Sequence, residues 1–362
     1  MKRYAKAFLF GVPFFYIVQT IINLIHKSES QWDFLAYYFP TQLWYSGHSP
    51  YLCMVQEHPF FYTPLSLGVF LPFTFLPLQT ALWTFLGLKI VALVALLYVW
   101  YRYFLLPLMP DDSWRSLAVL FVAVLMFVGG FHQCVKLDIF SGNISIFEQL
   151  LMWTGIAAFL RNKDYLFVVC ILACSIFKVL PIALLGLLLL KRDKKSAFLF
   201  LKSCALFLGI FLVAGCLSPD LFREFFTHQN PMESRGFVHP SSLMLLQDIA
   251  PHFAFLLYVF FAVTVMALFA YFIYKRRPSL VYGVMGYLIC YALILPRFKD
   301  YSFILLIIPT VYVIQRMGAK WVVVPLLWYF CSMSYWEYHH WGSMVILFGC
   351  YLGSLGEVGE HF

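Results

Sequence analysis

The chain has 362 residues, 62% of them hydrophobic and only 12% charged, with a mean hydropathy of +0.82. Soluble domains carry about a quarter charged residues, so a soluble enzyme or binding module is excluded. The formal net charge of +8 is not a nucleic-acid signature, because the basic residues fall in short clusters between apolar runs.

Those runs are close to 20 residues each, long enough to cross a hydrocarbon core about 30 Å thick. They are continuous rather than alternating, which selects helices over a barrel. The expected fold is an all-α, polytopic transmembrane helical bundle of about 10–12 membrane helices with short interfacial or re-entrant helices. No repeat, low-complexity tract or soluble domain interrupts it, so residues 1–362 read as a single integral membrane domain.

The first span, 7–25, follows Lys2, Arg3 and Lys6. It is long and lacks a small-residue cleavage site, so it reads as an uncleaved helix. Next comes an expected external loop, 26–62, opening on Trp32-Asp33-Phe34-Leu35-Ala36-Tyr37-Tyr38, with 34–45 suited to an interfacial helix. Asp33 at a bilayer surface is a base, an ion ligand or a solvated charge. The aromatics around it suit sugar stacking or headgroup anchoring. Residues 64–77 are apolar but short and bracketed by Pro64 and Pro77, which favours a half-embedded helix.

Spans are expected at 80–101 and 116–132, then a polar turn, Lys136 to Asn143. There Gly142-Asn143 offers an N-cap amide and an anion-attracting helix start for the span 143–160. The stretch 165–190 carries Lys178 and Pro181 near its middle. A helix-interior proline breaks or kinks the helix, so two half-helices meeting at 175–181 present Lys178 to a polar cavity. Asp138, Glu148 or a bound phosphate is its expected partner. With 64–77 and 165–190 both re-entrant, the turn at Asn143 joins Asp33 on the outer side.

The later spans are 196–216, 252–274, 279–295, 301–315, 320–334 and 341–356. A second external loop, 217–252, holds His228, Arg235, His239, Ser241, Ser242 and Asp248 without a sharp spacing. Leu295 to Tyr301 places Arg297, Lys299 and Asp300 on the expected outer side against the positive-inside trend. Either this is a surface charge cluster or it is a phosphate ligand, with arginine gripping bidentately. Trp336 to Trp341, with His339 and His340, reads as an interfacial belt. The clusters 191–195, 275–277 and 316–320 lie inside by charge bias. The nine cysteines show no CxxC pair, so neither a disulfide framework nor a zinc site is implied.

The ordered motifs Asp33-Phe34-x-x-Tyr37-Tyr38, Gly47-x-x-Pro50-Tyr51, Phe61-Tyr62-Thr63-Pro64-Leu65, Leu76-Pro77 with Ala81 and Trp83, Gly142-Asn143-x-Ser145, Lys178-x-x-Pro181 and Pro296 to Tyr301 resemble glycosyltransferase family 87. The resemblance covers most of residues 1–310. It implies a GT-C fold and transfer of a sugar, often mannose, from a polyprenyl-phosphate donor to a lipid-linked or surface glycan on the external face. The implied setting is a bacterial inner membrane with a cytoplasmic N-terminus. The aspartate of the first external loop is the implied general base, here Asp33. Thr63 replaces a usual second proline, Gly142-Asn143 replaces a Gly-Gln-x-Asn run, and Arg297 to Tyr301 stands where some members have Trp-x-His.

Direct, inverting displacement at an anomeric carbon needs a base for the acceptor hydroxyl and cations for the departing phosphate. Asp33 suits the first role, and Lys178, Arg297 and Lys299 the second. Tyr37, Tyr38, Tyr51 and Tyr62 shape a sugar site, with Asp138, Asn143 and Asp300 as further substrate-binding candidates. No metal or other cofactor is demanded, since the acidic pair Asp111-Asp112 falls in a loop expected inside. The expected partners are the lipid-linked donor, the acceptor and membrane lipids, with no nucleic acid. A transporter or flippase for a polyprenyl-linked or anionic substrate is the alternative. It predicts inverted repeats, which are not visible. A non-catalytic scaffold leaves Lys178 unexplained, and an acyltransferase finds no histidine base within a span.

Overall fold

A computed structural model describes residues 2–25, 31–55, 58–109, 114–227, 241–317 and 339–356. The expected span 320–334, His228, Arg235, His239, Asp111-Asp112 and Trp336 to Tyr338 lie outside them. Apart from a small antiparallel ladder of Met54–Val55 with His58–Pro59, the regular structure among the described residues is helical. Four stretches there are long and apolar enough to cross a membrane: Leu78–Leu108, Ser116–Ser141, Lys194–Leu217 and Ala254–Arg276. Shorter apolar helices accompany them, and the protein is an all-α polytopic membrane protein. The residues form two compact units, one from 17–101 and 136–233, the other from 1–16, 102–135 and 234–362.

In chain order the helices are α1 (Lys2–Ile25), α2 (Trp32–Tyr45), α3 (Pro64–Thr74), α4 (Leu78–Trp100), α5 (Trp114–Gly129), α6 (Cys134–Ser141), α7 (Ser145–Leu160) and α8 (Asp164–Phe177). After a 3-10 helix, Leu180–Lys191, come α9 (Lys194–Leu217), α10 (Pro219–Thr227), α11 (Ser242–Ile249), α12 (Ala254–Arg276), α13 (Leu280–Ile294), α14 (Ile307–Met317) and α15 (His339–Gly356).

The unit containing Asp33 is built on α4, α7 and α8. In α4 the buried positions Ala81, Phe85, Lys89, Ala92, Leu93, Leu96 and Trp100 recur at helical spacing, while Leu88, Val91, Val94 and Tyr98 are exposed. That is a helix with one protein face and one lipid face. α7 is buried almost all round. Its Gly155 permits the close crossing with α8, because an added Cβ would sit 2.9 Å from the Cys170 Cβ.

The stretch 165–190 is a hairpin rather than one span. α8 ends at Phe177, Lys178 is extended (φ −127°, ψ 129°) and the 3-10 helix returns. Lys191 then pairs with Asp164 at 2.5 Å and donates to Asn162 Oδ1 at 3.1 Å, so both legs begin and end together. Pro181 opens the returning leg, where its missing N–H is harmless. The expected polar turn 136–143 is narrower in the structure. α6 stays helical to Ser141, and only Gly142 (φ 71°) to Ile144 turn.

The other unit centres on α13, buried along most of its length. Tyr282 of α13 stacks on Tyr351 of α15 with centroids 4.9 Å apart. α12 is mostly lipid-exposed, with 17% of its apolar window buried. His339 and His340 are buried at the start of α15 rather than lying in a surface belt. Their rings are 3.9 Å apart, and His340 packs on Phe303.

Candidate active site

The carbonyls of a helix's last turn lack intrahelical partners. At the end of α6 those of Ile139 and Phe140 are taken by Gln31, whose Nε2 donates to them at 2.8 and 3.2 Å. The Gln31 backbone N–H also donates to Phe140 O, at 2.8 Å. Gln31 itself sits in the left-handed region (φ 72°) as the cap of α2. This double clasp fixes where α2 begins and so where Asp33, in its first turn, stands. Gly142 makes the clasp possible. Any Cβ there would lie 2.7 Å from Gln31 Oε1 and 3.0 Å from the Phe34 Cβ, at a φ that other residues resist.

Asn143 follows. Its Nδ2 donates to Asp33 Oδ2 at 2.9 Å and lies 3.4 Å from the Tyr62 hydroxyl. Its Oδ1 accepts from the Ser145 amide (3.0 Å) and hydroxyl (2.8 Å), an Asx turn leading into α7, whose N-cap position is Ile144 and not the Asn143 expected from the sequence. Asn143 is thus oriented from both sides, and the amide faces the carboxylate with its donor. The Tyr62 and Tyr37 hydroxyls are 2.7 Å apart, and the Tyr37 ring stacks on Phe70 at 4.4 Å.

Lys178 reaches the same group from the hairpin tip. Its Nζ is 2.7 Å from Glu148 Oε2, 3.5 Å from Ser145 Oγ and 5.8 Å from the centre of the Tyr62 ring. The tip is tied to the Tyr62 segment by Thr63, whose hydroxyl donates to Ile176 O and whose amide donates to Phe177 O at 3.5 Å. Glu148, one of the expected partners, pairs with Lys178 in the structure.

Asp138 is held elsewhere. Fully buried, it pairs with the equally buried Lys89 of α4, Nζ to Oδ1 2.7 Å, and Lys89 also donates to the Asp138 carbonyl. With no exposed surface, Asp138 meets the Lys89 ammonium in this structure. Lys89 was not singled out from the sequence. The available signal was a lone lysine within an apolar 23-residue helix. Such a residue costs roughly 2.5–3.5 kcal/mol at a membrane helix centre and is functional by default.

Tyr38 and Tyr51 join the aromatic wall with their hydroxyls engaged, donating to Leu76 O (2.9 Å) and Tyr62 O (3.0 Å). Burial, reinforced by the Glu224 carboxylate, raises the Tyr51 phenol above its ordinary value, so it remains a donor. Ser49 donates to Glu224 at 2.5 Å, bringing α10 onto this end of the unit. Arg297, Lys299 and Asp300 belong to the other unit. There the Asp300 Oδ1 accepts from the Tyr301 amide at 3.0 Å, and the Lys299 Nζ lies 5.9 Å from the Tyr301 ring centre. The structure therefore brings together Asp33, Tyr37, Tyr62, Asn143 and Lys178.

A carboxylate, an ammonium and phenols are gathered here within an apolar helical scaffold. Residues 60–296 match the profile of glycosyltransferase family 87, and the chain belongs to that family. It is a membrane glycosyltransferase. The matched span includes Tyr62, Lys89, Asp138, Asn143, Glu148 and Lys178, and it begins after Asp33. No curated protein matches the chain.

Proposed function

We propose that the protein transfers a sugar, mannose-like, from a polyprenyl-phosphate donor to a lipid-linked or surface glycan acceptor. The site faces the outside of a bacterial inner membrane in a GT-C arrangement. The observation that carries this reading is the Asp33–Asn143 hydrogen bond beside Lys178.

Asp33 takes the proton of the acceptor hydroxyl as that oxygen bonds to the anomeric carbon. The bond from that carbon to the phosphate oxygen breaks, and its electron pair leaves with the phosphate. The configuration inverts because there is one displacement. Lys178 meets the charge that grows on the leaving phosphate, where a fixed cation counts most. An ammonium has three donors, so holding Glu148 does not preclude that contact. Tyr37 and Tyr62 line the sugar, and Asn143 holds the base. No metal or other cofactor takes part in this reading.

The broken helix at Lys178 suits a flippase as well, but membership of a glycosyltransferase family favours transfer. The test is purified protein supplied with radiolabelled polyprenyl-phosphate sugars and a membrane lipid extract. Asp33→Asn abolishes transfer while retaining donor binding. Undiminished transfer by that variant overturns the mechanism.

A further inference from the structure

Lys89 and Asp138 are fully buried and joined to Asn143 through the turn that follows α6. We propose that Lys89 is a positioning residue, acting through Asp138 to hold Asn143, and thereby Asp33, in register for transfer. The proposal rests on Asp33 being the base.

The connection is continuous. Lys89 grips Asp138 by its carboxylate and its carbonyl. The same carbonyl accepts from the Asn143 amide at 3.3 Å and from the Ser141 hydroxyl at 3.2 Å. The Ser141 oxygen in turn accepts from the Asn143 amide at 3.2 Å. One carbonyl thus gathers both ends of the turn, and the ammonium fixes that carbonyl from the buried face of α4. From the far side Gln31 clasps the next two carbonyls of α6, so the base and its amide partner are registered on the same helix end.

A buried ion pair is a poor choice for stability alone, because well-packed apolar residues of similar volume often serve as well or better. What an apolar pair cannot do is hold a carbonyl by a charge-assisted hydrogen bond. The experiment therefore replaces both partners, Lys89→Met with Asp138→Leu, in the full-length protein reconstituted in lipid. The measurements are kcat and KM for the donor, beside the thermal unfolding midpoint.

A misplacement near 1 Å costs about 100-fold in rate. The expected result is that loss in kcat, with KM and the unfolding midpoint close to wild type. Wild-type kcat in the folded variant overturns the proposal and leaves the pair a packing element. If the double variant does not fold, Lys89→Met with Asp138→Asn carries the test, since it removes the ammonium that holds the carbonyl and leaves the Ser141 and Asn143 bonds to that carbonyl in place. A loss confined to kcat supports the proposal, and an unchanged kcat overturns it. Wild-type protein that transfers nothing defeats the functional reading instead. In that case hydrogen exchange of the 138–145 amides decides, with faster exchange in the double variant supporting the link and unchanged exchange refuting it.

Discussion

Replacing Asn143 with alanine separates the two jobs its side chain performs. The Nδ2 bond to Asp33, at 2.9 Å, is a hydrogen bond to a charged group, a class worth about 1.5–3 kcal/mol. Loss of that bond lets the carboxylate leave the direction in which it meets the acceptor hydroxyl. At 1.36 kcal/mol per tenfold, kcat falls about 10- to 150-fold. The Oδ1 bonds to Ser145, at 3.0 and 2.8 Å, belong to the Asx turn before α7, and hydrogen bonds of this kind are worth about 1 kcal/mol of stability. That second loss appears in the unfolding midpoint and not in the chemical step. Asn143→Asp keeps the acceptor toward Ser145 but turns the donor toward Asp33 into another acceptor. It loses at least as much kcat while keeping the turn. The assay is initial-rate transfer of radiolabelled sugar from a polyprenyl-phosphate donor, with thermal unfolding in parallel. An alanine variant with kcat within about twofold of wild type, or a loss residing wholly in KM, refutes the reasoning.

Other substitutions probe the remaining contacts. Lys178→Met removes the cation at the leaving group and lowers kcat about 10²–10³-fold, measured in the same transfer assay. Gly142→Ala imposes a left-handed conformation costing about 1–2 kcal/mol and drives a methyl into the Gln31 clasp, so both the unfolding midpoint and kcat fall. Ser46, just past α2, and Asn162, beside the open end of the hairpin, are exposed. In a background lacking the nine native cysteines, single cysteines at these two sites label from opposite faces of the membrane, and labelling from one face contradicts the hairpin topology.

The sequence showed what local chemistry shows. An acid after the first apolar run, a lysine and a proline inside another, and a Gly-Asn turn each violate the pattern of their surroundings, and each now has a structural place. Lys178 was legible because Pro181 marked a helix break three residues on. Lys89 was not, because nothing near it breaks α4, and its partner is 49 residues away. The same limit hid the bond between Asn143 and Asp33, which are separated by 110 residues. Periodicity reports which face of a helix is buried and says nothing of which buried group it will meet. The pairing of Asp138 was hidden for that reason. Its acid was visible from the sequence, while the ammonium that occupies it was not.

Those pairings explain why one carboxylate is suited to the chemistry. Asp33, Asp138 and Glu148 gather in this unit with two lysines. Lys89 holds Asp138 and Lys178 holds Glu148. Among the described residues the hydrogen-bond partner of Asp33 is the neutral amide of Asn143. A carboxylate bonded to an ammonium must give up a charge-assisted bond to take a proton, whereas one oriented by an amide keeps an oxygen for it. Asp138 is also sealed from solvent, and Glu148 nearly so, while Asp33 is only partly buried. A base for an incoming hydroxyl has to satisfy both conditions, and of the three acids Asp33 alone does.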